Sequence, residues 1–359
     1  MRRIRGRAGS LASRLALAIG AAALVILPAR ARGAPPVKPS DPLPDPGRSI
    51  VTNDDSSSIA TNPGNLAFLK APELRWTWFY TQPGSELATR GHSFDFVYPI
   101  WLLASGLRLD VVDPPPSSPA PFSGDNYQWI RWSLGGRVGT ILGFGATFGW
   151  SISESDKLAG QFSFTTGATL RPSSYIGISA VGRDLNIPKS DDGVTRSERS
   201  WELGAALRPV RGSRALEIGL ETAYLETSKE WVPRATLGVD VPYVGRLRAD
   251  ARVFDLASDK PSFITTAGLD VNIGPAQVSG GSVFGDSIGF ENSGFYAGLA
   301  FRLFREPSGV PLPSHVVRID IDSTPGVRAH LHLLRTLWRL ADDPECDGVL
   351  MVMHDEPSA

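Results

Sequence analysis

The sequence predicts an all-β fold: an antiparallel transmembrane β-barrel of about fourteen strands, followed by a partial α/β segment of strand, helix and strand. Three observations lead there. Between Leu74 and Phe304, segments of about ten residues alternate apolar with polar or tiny side chains, and Gly, Pro, Asp or Ser separate them. The chain opens on an export signal. After residue 305 the pattern changes from period two to a strand, a helical repeat and an apolar strand.

Trp201, Leu203, Ala205 and Leu207 share one side of an extended chain, and Glu202, Gly204, Ala206 and Arg208 share the other. The next segment sets Leu216, Ile218, Leu220, Thr222 and Tyr224 against Glu217, Gly219, Glu221 and Ala223. Leu142, Phe144, Ala146, Phe148 and Trp150 alternate with Gly143, Gly145, Thr147 and Gly149. A soluble sandwich also alternates, so the argument needs the rest of the chain.

The 359 residues carry 36 basic and 37 acidic side chains. No basic stripe exists to neutralise phosphates, so a nucleic-acid partner is not expected. The single cysteine, Cys346, excludes a disulfide framework and a cysteine-based zinc site. No cofactor is expected.

Residues 1–31 read as a signal peptide. Five arginines precede the apolar run Leu15–Leu27, and Ala29-Arg30-Ala31 supplies small residues for cleavage. Residues 32–48 are proline-rich. Proline fixes φ and lacks a donor, so this stretch is expected to be an extended, mobile linker.

Residues 49–73 hold a polar run from Asn53 to Ser58, the turn signal Asn62-Pro63-Gly64-Asn65, and then Leu66, Ala67, Phe68 and Leu69. An Asn-Pro-Ala/Gly, Leu-Ala element ahead of a long alternating region resembles the N-terminal plug of FadL-like outer-membrane transport barrels and their PorV-like relatives. Asn62, Pro63, Leu66 and Ala67 match, and Gly64 stands where those families often have alanine. The resemblance implies a segment packed inside the barrel near a route for hydrophobic small molecules. Read from the residues alone, the string is a plug or a surface turn leading into the first strand.

Residues 74–304 form the expected barrel. Trp76, Trp78, Phe79 and Tyr80, with Trp101, Trp129, Trp132, Trp150, Trp201 and Trp231, supply aromatics of the kind that gather at bilayer interfaces. The inward face becomes charged at Arg246, Arg248, Asp250 and Arg252, and neighbouring strands add Arg234, Asp240 and Asp270. In a barrel these are lumen charges, forming either cross-strand pairs or contacts to a plug. The stretches 113–125 and 183–198 read as long loops. Gly294 to Phe304 resembles the terminal strand recognised by the outer-membrane assembly machinery. An even strand number puts both barrel ends on the periplasmic side, and the wall faces outer-membrane lipid.

Residues 305–314 read as a linker, and 315–359 change character. Val316 to Ile321 is a strand. Val327 to Ala341 is a helix, with Leu331, Leu334, Leu337, Trp338 and Ala341 spaced by three and four. Gly348 to Met353 is a buried strand parallel to the first. The layout resembles the signal peptide peptidase family (SppA), a ClpP/crotonase-like fold, at Leu334, Leu337, Ala341, Asp342, Asp343, Gly348, Val349 and Leu350. The resemblance implies a periplasmic serine peptidase with a Ser nucleophile and a Lys base, acting on peptides. No catalytic residue of that kind follows Met353: His354, Asp355 and Ser358 have no arguable partners. The tail is therefore expected to be a fragment of a larger domain, and the chain a truncated product. Three functions stay open: a barrel anchoring a peptidase, a FadL-like channel for hydrophobic small molecules, or a docking scaffold.

Overall fold

Residues that alternate in sequence become the two faces of one closed wall. The computed structural model describes residues 38–81, 90–114, 125–241, 244–256, 261–285, 294–303, 315–321, 326–341 and 346–353. The expected signal peptide, the linker 305–314, Phe304 and residues 354–359 lie outside them.

Fourteen strands make the barrel. They are β1 (Glu73–Tyr80), β2 (Gly91–Ile100), β3 (Leu103–Val112), β4 (Tyr127–Val138), β5 (Leu142–Ser153), β6 (Phe162–Leu170) and β7 (Ile176–Arg183). The second half comprises β8 (Ser200–Leu207), β9 (Leu216–Leu225), β10 (Glu230–Val241), β11 (Gly245–Phe254), β12 (Ser262–Ile273), β13 (Ala276–Gly285) and β14 (Gly294–Arg302). Each pairs antiparallel with its sequence neighbours, and β1 closes on β14 from Glu73↔Arg302 to Tyr80↔Phe295. Closure leaves no unpaired edge.

The wall is apolar outside and polar inside. Phe94, Phe96, Leu107, Leu203 and Leu220 face outward and are exposed, whereas Arg75, Asp95, Arg108 and Asp110 are almost wholly buried. A water-soluble sandwich buries its apolar face. This inversion is the arrangement of a membrane barrel.

Most connections sort by end. Those at 101–102, 139–141, 242–244 and 274–275 are short, and the start of β1 and the end of β14 lie at the same rim. The described connections 154–161 and 184–199 are longer and lie at the opposite rim; 208–215 at the first rim and 226–229 at the second depart from this pattern.

Residues 38–72 do not hang free. Lys38, Leu43, Arg48, Ile50, Val51, Ile59 and Leu66 are buried, and the segment occupies the lumen. The linker expectation is therefore corrected for 38–48: proline removes regular backbone pairing, but it does not prevent packing against a wall that offers donors. A short helix α1 (Ser58–Thr61) and a 3₁₀ helix (Pro63–Phe68) follow. The plug alternative for Asn62-Pro63-Gly64-Asn65 is the one observed.

Trp129 is a second correction. It shares the inward parity of Tyr127, Arg131 and Ser133, is 1% exposed, and donates to the plug carbonyl of Pro39 at 2.8 Å. Neither Trp129 nor Phe79, which is also 1% exposed and packs in the same inner cluster, is an interface aromatic. Trp132, one position on, faces outward.

The tail forms β15 (His315–Ile321), α2 (Val327–Ala341) and β16 (Cys346–Met353), with β15 and β16 parallel from Val316↔Gly348 to Ile321↔Met353. Strand, helix and strand are as expected, but β16 is not the buried strand its apolar run predicts: Val349, Leu350, Met351 and Met353 are exposed. Among the described residues, however, this sheet has two strands, short of a ClpP/crotonase-like layer.

Candidate functional site: the plugged lumen

The plug is held at three heights, each by charges from the wall. At the long-loop rim the Lys38 ammonium donates to Asp184 (3.0 Å), Ser200 (3.2 Å) and the Glu198 carbonyl (3.2 Å), and the Ser40 hydroxyl donates to Asp184 at 2.6 Å. Both Asp184 and Lys38 stand outside the strands. Burial alone would raise Asp184, but Lys38 and the hydroxyls of Ser40 and Ser163 outweigh it and hold the carboxyl below its usual range. Burial works against charge on Lys38 too, yet Asp184 and Asp41 keep it above an ordinary lysine. Asp41, 3.8 Å from the same ammonium, sits above its usual range because burial exceeds the help from Lys38.

Midway down, Arg108 of β3 gathers Asp45 of the plug (2.7 Å), Asp110 (2.8 Å) and Asp95 (3.3 Å), and donates to the Leu43 carbonyl at 2.8 Å. Arg131 pairs with Asp110 and donates to the Ser40 carbonyl. On the far wall the Gly47 amide donates to Asp250 (2.6 Å) and the Ile50 amide to Glu221 (2.9 Å).

Near the short-turn rim, Asp55 of the plug meets Arg48 and Arg75, and Asp54 meets Arg171. The Asn-Pro-Gly-Asn turn then docks on β6. Asn62 caps the 3₁₀ helix by accepting from the Gly64 amide (2.9 Å), with Pro63 in the first turn where a missing N–H costs nothing. Its carboxamide donates to the Ile50 carbonyl (2.8 Å) and the Thr169 hydroxyl (2.9 Å). Asn65 donates to the same carbonyl and accepts from Thr169 at 2.6 Å. The wall here is glycine. A Cβ on Gly135 would stand 2.7 Å from Leu66 Cβ, and Gly145 and Gly167 lie closer still to Pro63 and Asn62. The 3₁₀ helix touches the sheet only because those side chains are absent.

The sequence-predicted lumen charges all sit on the inner wall. Arg234 donates to Glu221 (3.2 Å) and Asp250 (2.8 Å). Arg246 pairs with Asp240 (2.6 Å) and with Glu217, and Arg248 donates to Asp270 at 2.5 Å. Arg252 stands apart: among the described residues its nearest carboxylate oxygen is Asp250 Oδ1 at 4.0 Å. Pairs and plug contacts therefore coexist. The sequence reading missed the partners: Glu217, Glu221, Arg108, Asp95, Asp110 and the plug acids Asp45, Asp54 and Asp55. Their signal was a charge set between apolar neighbours, as in Phe94-Asp95-Phe96 and Leu107-Arg108-Leu109.

Between plug and wall lies a cavity of about 240 Å³. Leu43, Phe79, Val232, Phe254, Ile264 and Val283 form its apolar part, toward the long-loop rim. Arg183, Glu202, Glu221, Arg234, Asp250 and Arg252 form its charged part. Arg183 also ties the wall to the plug, donating to the carbonyls of Ala60 and Thr61 at 2.6 Å while pairing with Glu202.

No family model and no curated protein matches the chain. By structure it is similar to a FadL homologue from Pseudomonas aeruginosa, at 12% identity and a TM-score of 0.50, over 75% of this chain and 99% of that one. The Pseudomonas putida toluene transporter TodX follows at 11% identity and 0.49, over 76% and 98%. The Ralstonia pickettii toluene transporter TbuX gives 10% and 0.48, over 72% and 96%. The first of these shows the fold, a FadL-type fourteen-strand barrel.

Proposed function

We propose that this chain is an outer-membrane barrel that binds hydrophobic small molecules in its lumen and passes them across the membrane, with residues 38–72 as the plug. The observation that supports it most is the cavity beside the plug, which has an apolar part and a charged part. An apolar cavity of about 150 Å³ accommodates benzene, so about 240 Å³ suits a molecule of one ring or a short chain. Outer-membrane lipid then covers the exposed apolar wall. The assembly machinery reads the final strand, Gly294–Arg302, and the tail lies on the periplasmic side.

The test compares cells making the wild-type chain, the Asn62→Ala, Pro63→Ala double variant, and no barrel. Uptake of radiolabelled toluene is expected to exceed the barrel-free background and to change in the double variant. Uptake equal in all three sinks the proposal.

A second function rests on the parallel strand–helix–strand of residues 315–353: a barrel carrying a unit like that of the signal peptide peptidases. A reading frame continuing past Ala359 into a glycine-rich loop with Ser and Lys would favour it. A stop codon there would count against it.

A further inference from the structure

Helix α2 of the tail carries two apolar stripes, and one of them is uncovered among the described residues. Leu333, Leu334, Leu337 and Leu340 are half-buried. Val327, Leu331 and Trp338 are 81%, 52% and 65% exposed. At 3.6 residues per turn these three fall within about 40° of arc, so they form one line along the helix. Arg335 follows Leu331 by four residues and precedes Trp338 by three, and Arg328 precedes Leu331 by three. Both arginines therefore flank the line, and both are exposed. The helix holds three arginines, two histidines and no acid.

We infer that this stripe docks on the membrane surface, with Val327, Leu331 and Trp338 in the acyl boundary and Arg328 and Arg335 against the phosphates of anionic phospholipid. The inference goes beyond transport but rests on the membrane barrel proposed above. A helix with cations beside an apolar stripe lies in the plane of the head groups, held by apolar burial and by attraction to anionic lipid. Tryptophan gathers at that depth. The chain also keeps the helix close to such a surface. β14 ends at Arg302, at the short-turn rim, and β15 begins at His315. The residues between them reach about 45 Å at most, so docking is an intramolecular step at high effective concentration. A second copy is the poorer cover: a symmetric contact through this stripe sets arginine against arginine.

The test folds the full chain into vesicles of phosphatidylcholine, alone or mixed with phosphatidylglycerol. A polarity-sensitive fluorophore is attached at Leu331→Cys in a Cys346→Ala background, with His332→Cys, about 100° around the helix, as the control. In the mixed vesicles the label at 331 is expected to shift to the blue and to be quenched by lipid with a nitroxide on its acyl chain, while the label at 332 stays in water. The ratio of docked to free helix is expected to fall about thirtyfold in the Arg328→Gln, Arg335→Gln double variant, the worth of two arginines near an anionic surface. A label at 331 that stays in water overturns the inference. So does one that is dry yet out of reach of the nitroxide, because protein, a second copy included, then covers the stripe. Equal drying at 332, or docking indifferent to the arginines, overturns it too. Heat-shifted mobility on a gel is read for every sample. With the shift present, a wet label removes this inference and leaves the membrane barrel standing, whereas no shift in any sample removes both.

Discussion

The carboxamide of Asn62 donates to the hydroxyl of Thr169 across 107 residues of sequence, at 2.9 Å. One side chain thereby starts the 3₁₀ helix and pins it to β6. Replacing Asn62 by Ala removes the cap and the bonds to the Ile50 carbonyl and the Thr169 hydroxyl, a local cost of about 2 kcal/mol. Amide exchange across residues 63–68 is expected to quicken roughly thirtyfold while the barrel strands stay protected. Unchanged exchange would mean that the glycine-lined contact alone holds the plug.

Arg108 and Arg252 make opposite cases. Arg108 has no exposed surface and faces Asp45, Asp95 and Asp110, so Arg108→Ala leaves three carboxylates buried around a hole. About 3–5 kcal/mol of stability should go, read as the urea midpoint of the detergent-folded barrel. Arg252→Ala removes a half-exposed group with one distant partner and should cost under about 1 kcal/mol. Equal losses would show that burial does not govern the charged layer.

Much of this architecture was legible before any coordinates. Period two in Leu142–Trp150 fixes which face is apolar, and the count of such segments fixes the barrel. The burial of Lys38 to Arg48 was not legible. Proline content reports the lack of a ladder, not location, and the contacts that bury the segment join Lys38 to Asp184, 146 residues on, and Pro39 to Trp129, 90 residues on. Trp129 was recoverable in principle, since parity with Arg131 places it inward. Arg252 was named as a lumen charge, but its isolation depends on register: only Arg234↔Arg252 and Arg252↔Ile264 pairing deprives it of a carboxylate.

The rim contact of Lys38 and Asp184 gives a pH window. Asp184 titrates below its ordinary 3.8, so its stabilising effect is present above that value and lost as pH falls through the lowered one. Lys38 titrates above its ordinary 10.5, so its share is present below that value and lost only at higher pH. Asp41 has the opposite sign: its raised pKa means that protonation relieves a burial cost as pH falls. The contact should therefore hold from about pH 4 to about pH 10. Single-channel recordings are expected to show added open events only as pH falls below 3.8 in the wild type, and at neutral pH already in Asp184→Asn. A flat pH profile in both proteins would place the controlling contact elsewhere.

The outer wall offers the sharpest test of the environment this barrel lives in. Leu203 lies in the middle of β8, points outward and is 56% exposed, between Ala180 and Thr222 on the neighbouring strands. In water an arginine there would be harmless, as at most surface positions. In a bilayer the same arginine near the midplane costs about 2–4 kcal/mol. Val194, 80% exposed in the 184–199 connection, is the matched control, because that connection lies beyond the strands. Folding into lipid vesicles, followed by urea titration, should therefore separate Leu203→Arg from Val194→Arg by about 2 kcal/mol or more. The two should differ little in a detergent whose head groups reach the wall. Indistinguishable midpoints in lipid would mean that the apolar face of β8 meets something other than hydrocarbon.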